Sequence, residues 1–197
     1  MIKTILLDAD GVAIRKRERF FSERFAERYH IPLAEIMPFF KNEMRQTFVN
    51  KADLKEVLLP YLKTWKWEGS VDEFLAYWFA EESPRDEIVI AYVQDLRAKG
   101  VRCYLATDRE KYWAHYLLET TGLKNAFDGF FFSYDVGHEK DSVDYFLEVS
   151  RRLGLPPTEV SYWDDDQKNV DVAQSVGIDA HFWTDLSEFK AGTLGVL

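Results

Sequence analysis

A single cysteine, Cys103, occurs in the 197 residues, which excludes an intrachain disulfide and any cysteine-built metal site. Basic charge is also scarce. The 25 Lys and Arg stand against 34 Asp and Glu, for a formal net charge of −9. Sequence-independent nucleic-acid binding relies on clustered Lys and Arg, so no nucleic-acid partner is expected. Long apolar runs are missing as well. Nothing approaches the roughly 20 consecutive apolar residues of a membrane-spanning helix, and no membrane partner is expected. The short apolar start is interrupted by Asp8 and Asp10, unlike a signal peptide, so the expected location is the cytoplasm. Internal repeats and low-complexity segments are absent. What remains is an ordinary globular composition whose length suits one domain, or one domain carrying a substantial insertion.

The chain opens on an apolar run, Lys3-Thr4-Ile5-Leu6-Leu7, that ends in Asp8, Asp10 and Gly11. Such a run reads as a buried strand with acids at its carboxyl end. From about residue 15 to 85 the pattern turns helical. Phe21, Phe25 and Tyr29 recur at helical spacing, and Ser70-Val71-Asp72-Glu73 forms a capping-box pattern before Phe74, Leu75, Trp78 and Phe79. Pro32, Pro38 and Pro60 are expected to divide this stretch into short helices. After Pro84 helices and strands alternate. Helices are expected over 86–99, 109–121, 142–153 and 168–176, and strands over 101–106, 129–133, 160–163 and 179–183. This alternation implies a parallel sheet with helices on both faces, and a functional site beyond the carboxyl ends of its strands.

Four features fall at those ends: Asp8 with Asp10, Thr107 with Asp108, Lys140, and Asp164 with Asp165. Each alone reads equally as a helix cap or a solvated loop residue. Their order, with acids, hydroxyl, lysine and acids each at a different strand end, is far more specific.

Asp8-Ala9-Asp10-Gly11-Val12 resembles the first motif of the haloacid dehalogenase-like hydrolase superfamily. Thr107 is similar to its second motif, Gly137-His138-Glu139-Lys140 to its third, and Asp164-Asp165-Asp166-Gln167-Lys168-Asn169 to its fourth. The resemblance covers the whole α/β part, and the helical stretch sits where the family's helical cap (C1) class carries its cap. It therefore implies a Rossmann-like three-layer α/β core with a parallel sheet, formed by residues 1–14 and 86–197, plus a helical cap over 15–85 inserted after strand one. Two departures from the family pattern stand out. Asp141 follows the motif-three lysine where proline is common, and Asp166 follows the paired acids where Ser or Thr is frequent.

The implied activity is a Mg²⁺-dependent phosphatase of a small phosphorylated metabolite, working through an aspartyl-phosphate intermediate. Asp8 would be the nucleophile, since a carboxylate needs no base at neutral pH. Asp10 would serve as general acid and then base. Thr107, Asp108 and Lys140 would bind phosphate, with Thr107 and Lys140 also counted as catalytic. Asp8, Asp10, Asp164 and Asp165 would hold the metal, because hard oxygen donors favour Mg²⁺ and its charge offsets crowded acids. Asn169 has two readings: the resemblance implies support for the motif-four loop, whereas by position it is an ordinary polar residue in the first turn of a helix, and it is left out of the catalytic set. Dehalogenation itself is disfavoured by Asp10, since a departing halide needs no proton. A phosphomutase or other phosphotransferase of the same superfamily, a catalytically silent protein of this fold and a receiver-like binding module remain as alternatives. Arg15, Lys16, Arg17 and Arg19 form a basic run that reads either as solvated or as an attractant for an anionic substrate. The oligomeric state is open.

Overall fold

The computed structural model describes residue 2 and residues 4–194. Lys3, expected to begin the first strand, lies outside them. Five strands, β1 (Thr4–Leu7), β2 (Arg102–Thr107), β3 (Gly129–Phe132), β4 (Val160–Asp164) and β5 (Asp179–Phe182), pair in parallel in the order β3-β2-β1-β4-β5. Every strand foreseen from the sequence is present.

The sheet is buried on both faces, as parallel sheets must be. Side chains alternate between two apolar layers: Ile5, Leu7, Cys103 and Leu105 pack on one face. Leu6, Ala106 and Tyr162 pack on the other with Tyr145 and Phe146. The covering helices are α6 (Glu87–Ala98), α7 (Lys111–His115), α9 (Val143–Leu153), α10 (Gln167–Ser175) and α11 (Leu186–Thr193). A short α8 (Ser133–Val136) follows β3 directly, and α7 runs on into a wider π-helical turn, Tyr116–Thr120. Neither α8 nor α11 was expected. One is too short to show periodicity, and the other carries Gly192 within its last turn.

Between β1 and α6 the described elements are all helical: α1 (Phe21–Tyr29), α2 (Leu33–Pro38), a π-helical turn (Phe39–Glu43), α3 (Met44–Thr47), α4 (Leu54–Thr64) and α5 (Val71–Glu82). The capping box at α5 forms as expected: the Ser70 N–H donates to Glu73 Oε2 at 2.7 Å and the Glu73 N–H to Ser70 Oγ at 3.2 Å. The prolines correct the sequence reading. Pro32 marks a clean boundary, as the N-cap of α2. Pro60 lies inside α4, and Pro38 ends α2 where the chain widens into the π-helical turn without leaving the helical path. A π-helical turn already breaks the regular hydrogen-bond ladder, so it tolerates a missing N–H.

The entry and exit of this helical segment lie side by side. Ile14 bridges Arg85, the Arg15 N–H donates to Pro84 O at 2.9 Å, and the Asp86 N–H donates to Ala13 O at 2.9 Å. None of the described helices is long and apolar enough to cross a membrane.

Candidate active site

Strand β1 lies at the centre of the sheet, with β2 and β4 on either side, and the three deliver their end residues to one place. Leu7 is level with Leu105 on β2 and Trp163 on β4. Asp8, Thr107 and Asp164 therefore emerge together, where the chain crosses from one side of β1 to the other. All three are buried. Crevices of this kind are the usual ligand sites of open α/β sheets.

Lys140 comes in from the loop after α8. Its ammonium donates to Asp8 Oδ1 at 2.6 Å and to Asp164 Oδ2 at 2.7 Å, and is itself buried. Its backbone N–H donates to Asp108 Oδ1 at 3.0 Å, so Asp108 holds the lysine's loop. Asp164 is further fixed by the Tyr162 hydroxyl, by the Asn169 amide at 3.1 Å and by the Asp166 N–H at 2.7 Å. Asn169 thus supports Asp164, the one of its two readings that came from the resemblance and not from its position in a helical first turn.

Carboxylate oxygens of Asp8, Asp164 and Asp165 lie within 4.8 Å of one another. Burial drives the Asp8 carboxyl up to about 8, with the Asp164 and Asp10 charges adding to the rise and Lys140 opposing it. Burial acts the same way on Asp164, but there Lys140, Tyr162 and the Asp166 N–H prevail and the value falls. Asp165 is raised by burial and by its acidic neighbours, against the pull of Lys16, whose ammonium lies 3.3 Å away. Gly11 is required beside it: its φ is +70°, and a Cβ there would lie 2.7 Å from Asp165 Cγ.

Asp10 behaves differently from the other acids. Regular strand ends at Leu7 and the chain turns, so strand alternation does not carry through to Asp10. Its side chain meets arginines instead of joining the cluster of three. Arg17 Nη2 lies 2.9 Å and Arg109 Nη2 2.6 Å from Asp10 Oδ2, the second pair closely approached but not aligned as a hydrogen bond. Although burial pushes Asp10 up, Arg109 and Arg17 together hold it below its ordinary value. Asp10 Oδ1 is buried without a partner. Arg109 lies 4.3 Å over the Trp113 ring, and its N–H donates to Ser133 Oγ at 3.0 Å. Sequence reasoning missed Arg109, although it directly follows Thr107-Asp108.

The basic run separates into distinct roles. Arg17 also donates to Glu82 of α5 at 2.7 Å, tying the helical segment to Asp10. Lys16 faces Asp165, and Arg19 pairs with Glu27. Both departures from the family pattern have structural work. Asp166 caps α10 by accepting the Lys168 N–H at 2.9 Å, which Ser or Thr would do equally. Asp141 pairs with Lys168 at 2.8 Å and with Arg45 of α3 at 3.4 Å.

A cavity of about 650 Å³ opens between these strand ends and the helical segment, reaching Asp10, Asp108 and Arg109. A separate surface hollow of about 450 Å³ among Arg19, Arg24, Arg28 and Tyr77 includes none of the strand-end residues.

The profile of the haloacid dehalogenase-like hydrolases matches residues 2–177. The chain belongs to this family. As a haloacid dehalogenase-like hydrolase it is 25% identical over 185 residues to the phosphorylated carbohydrates phosphatase of Thermotoga maritima, spanning 90% of this chain and 83% of that one. A shorter stretch of 76 residues is 32% identical to the fructose-1-phosphate phosphatase of Escherichia coli, covering 39% of this chain and 40% of that one. Among solved structures, it superposes on a family enzyme of Bacteroides thetaiotaomicron, an Asp-to-Ala variant in complex with magnesium and inorganic phosphate. The TM-score is 0.79 at 21% identity, covering 96% of this chain and 99% of that one. An HAD phosphatase from Thermococcus onnurineus matches with a TM-score of 0.64 at 23% identity, over 93% and 86% of the two chains. At these identities the superpositions speak to the fold.

Proposed function

We propose that the chain is a Mg²⁺-dependent phosphatase that hydrolyses a small phosphate monoester through an aspartyl phosphate on Asp8. The observation that carries this reading is the buried Lys140, bonded at once to Asp8 and Asp164, with Asp165 completing a group of three carboxylates. The names of the Thermotoga and Escherichia relatives support phosphate esters as the substrate class. The donors fit a hard divalent cation: they are all carboxylate oxygens, and the raised Asp8 and Asp165 mark negative charge that Lys140 and Lys16 leave uncompensated. Asp8, Asp164 and Asp165 would hold it, and the cation would supply positive charge that offsets the nucleophile and the phosphoryl oxygens. Asp10 was expected among these ligands, but its side chain is engaged by arginines.

In the first half-reaction an Asp8 oxygen forms a bond to phosphorus as the bond to the leaving oxygen breaks. The leaving oxygen takes a proton from Asp10 and departs as the alcohol. Water, giving its proton back to Asp10, then attacks phosphorus. Inorganic phosphate leaves and the Asp8 carboxylate is restored. The two arginines favour the ionised Asp10 that receives the water's proton. To protonate the leaving group, Asp10 must first gain a proton, which is easier once a phosphoryl group draws an arginine away. Lys140 offsets the charge on Asp8 and the phosphoryl group, while Thr107 and the loop held by Asp108 receive phosphoryl oxygens.

Residues 15–85 act as the cap and residues 1–14 and 86–197 as the core in this reading, supported by the paired crossing at Ile14 and Arg85. A cytoplasmic location belongs to the same reading. The test is release of phosphate from p-nitrophenyl phosphate by protein free of contaminating phosphatases. EDTA should stop it, Mg²⁺ should restore it, and a quenched reaction should carry phosphate on the Asp8 peptide. Turnover indifferent to EDTA, or label on another residue, would overturn the assignment.

A further inference from the structure

The cavity above the strand ends is two-sided. Its floor, made by Asp10, Asp108 and Arg109, is polar, whereas the facing wall carries Met37, Phe40, Met44 and Phe48 from the continuous run α2 to α3 and the turn after it. Phe21, Trp78 and Trp113, whose rings meet in sequence at 5.6 and 5.2 Å, also line it. The charged groups in this lining are largely committed to one another. Arg17 and Arg109 face Asp10, and Glu82 accepts from the Phe21 N–H and Arg17. Glu23 accepts the Phe20 N–H. Among the described residues, Lys41 is the one lining cation without an ion-pair or hydrogen-bond partner, and it stands exposed at the rim.

This lining is a poor match for a sugar. A hexose phosphate brings several hydroxyls, and each must keep a hydrogen bond when it leaves water. Beyond the charged groups, the lining residues offer one hydroxyl, on Ser22, and the unpartnered ring N–H of Trp78; the Trp113 ring N–H is already given to Ser83 Oγ, and Met37, Phe40, Met44 and Phe48 carry no side-chain donor. A thioether-and-ring wall offers dispersion contact and burial of apolar area, and methionine adapts to ligand shape.

We propose that this site prefers phosphate monoesters whose alcohol part is apolar, an arylalkyl or branched alkyl group, over esters of polyhydroxylated sugars. The inference rests on the phosphatase reading of the same site and specifies its leaving group. The phosphoryl end sits at Asp8 and Lys140, and the alcohol part extends past Asp10 onto Met37, Phe40 and Phe48. The products are the apolar alcohol and inorganic phosphate.

The test compares 2-phenylethyl phosphate with fructose 1-phosphate in Mg²⁺. Both are esters of primary alcohols, so neither gains from a markedly better leaving group. The expected kcat/KM ratio is about 100-fold in favour of the phenylethyl ester. Met37→Gln keeps length while adding polarity at a half-buried position, and should shrink that ratio about tenfold. Binding of 3-phenylpropylphosphonate against methylphosphonate, measured by calorimetry, needs no turnover and should favour the phenyl compound by tenfold or more. Equal or sugar-favouring turnover, or equal phosphonate affinities, would overturn the proposal while leaving a working phosphatase. Tight 3-phenylpropylphosphonate binding with no ester hydrolysed would instead sustain the apolar site and sink the phosphatase reading.

Discussion

At the strand ends Asp8 and Lys140 are each 4% exposed and Asp164 is 0% exposed, whereas the largest buried side chains of the helical segment are rings, among them Trp65, Trp78, Phe21, Phe39 and Phe74. The two regions thus bury opposite materials. Buried charge is costly unless paired and hydrogen-bonded, so Lys140 and Asp164 are each held by several named partners, while Asp8 keeps Lys140 alone. Buried rings need only contact. Phe21, Phe25, Phe74 and Trp78 meet edge-on or stacked at centroid distances between 5.3 and 6.3 Å. One region is therefore specified by chemistry, the other by shape, and single substitutions should separate them.

The largest effect is expected at the nucleophile. Asp8→Asn removes one charge from a crowd of acids and keeps the side chain's size, so circular dichroism should report an intact fold. Phosphate release should fall by about 10⁴-fold or more, the scale seen when a covalent nucleophile is lost. A rate within tenfold of the parent would place the chemistry elsewhere in the site.

Next come two substitutions of similar expected cost and opposite character. Lys140→Ala strands two buried carboxylates and should cost about 3–5 kcal/mol. Trp78→Ala should also cost about 3–5 kcal/mol, from lost contact and the void left behind. Urea unfolding with and without Mg²⁺ distinguishes them. Mg²⁺ should recover stability in Lys140→Ala, because a cation bound at the acids replaces some of the lost charge, and should leave the Trp78→Ala loss in place. Equal Mg²⁺ responses would erase the contrast between the two regions.

That contrast also explains what the sequence made legible. All five strands were readable because apolar runs ending in polar residues recur between helical patterns. Asp8, Thr107, Lys140 and Asp164 were readable because their types and order are restrictive. Arg109 escaped, as did the pairing of Arg17, which was named only within a basic run, because an arginine shows its partner only once the chain has folded, and Asp10's partners lie 7 and 99 residues away in sequence. The support Asn169 gives was legible only through the resemblance, for the same reason. In residues 15–85, 14 of the chain's 31 aromatics occur at spacings that fit helix packing, and nothing in that pattern separates rings facing the core from rings facing a cavity. The path of the chain through Pro38 and Pro60 was misjudged because local geometry absorbed both prolines.

A smaller effect should appear with pH at the junction of the regions. Glu110 caps α7 through both carboxylate oxygens, accepting the Tyr112 N–H at 2.8 Å and the Trp113 N–H at 2.5 Å. Burial raises it from an ordinary 4.5 to about 7, in spite of those two bonds. Between these values the folded chain holds a proton that the unfolded chain has released. Stability should therefore fall as pH rises from 4.5 to about 7, by about 3 kcal/mol from this group, and level off above. Glu110→Gln, measured by urea titration across that window, should flatten this part of the slope. An unchanged slope would assign the pH dependence to other acids.

The smallest expected effect tests whether charge also helps hold the helical segment over the site. Arg45 of α3 reaches Glu139 at 3.1 Å and Asp141 at 3.4 Å, beside Lys140, but its side chain is 55% exposed. Pairs so exposed are screened by water and salt and contribute little, so Arg45→Ala should change unfolding stability by about 0.5 kcal/mol or less. The ring contacts joining the regions, Phe79 on Trp113 at 4.9 Å and Trp78 on Trp113 at 5.2 Å, persist in the variant. Any rise in KM should be about threefold at most and should vanish in high salt, where exposed charges are screened. A larger rise surviving 1 M salt would mean that Arg45 positions the Lys140 loop directly, and that the helical segment specifies the site by charge as well as by shape.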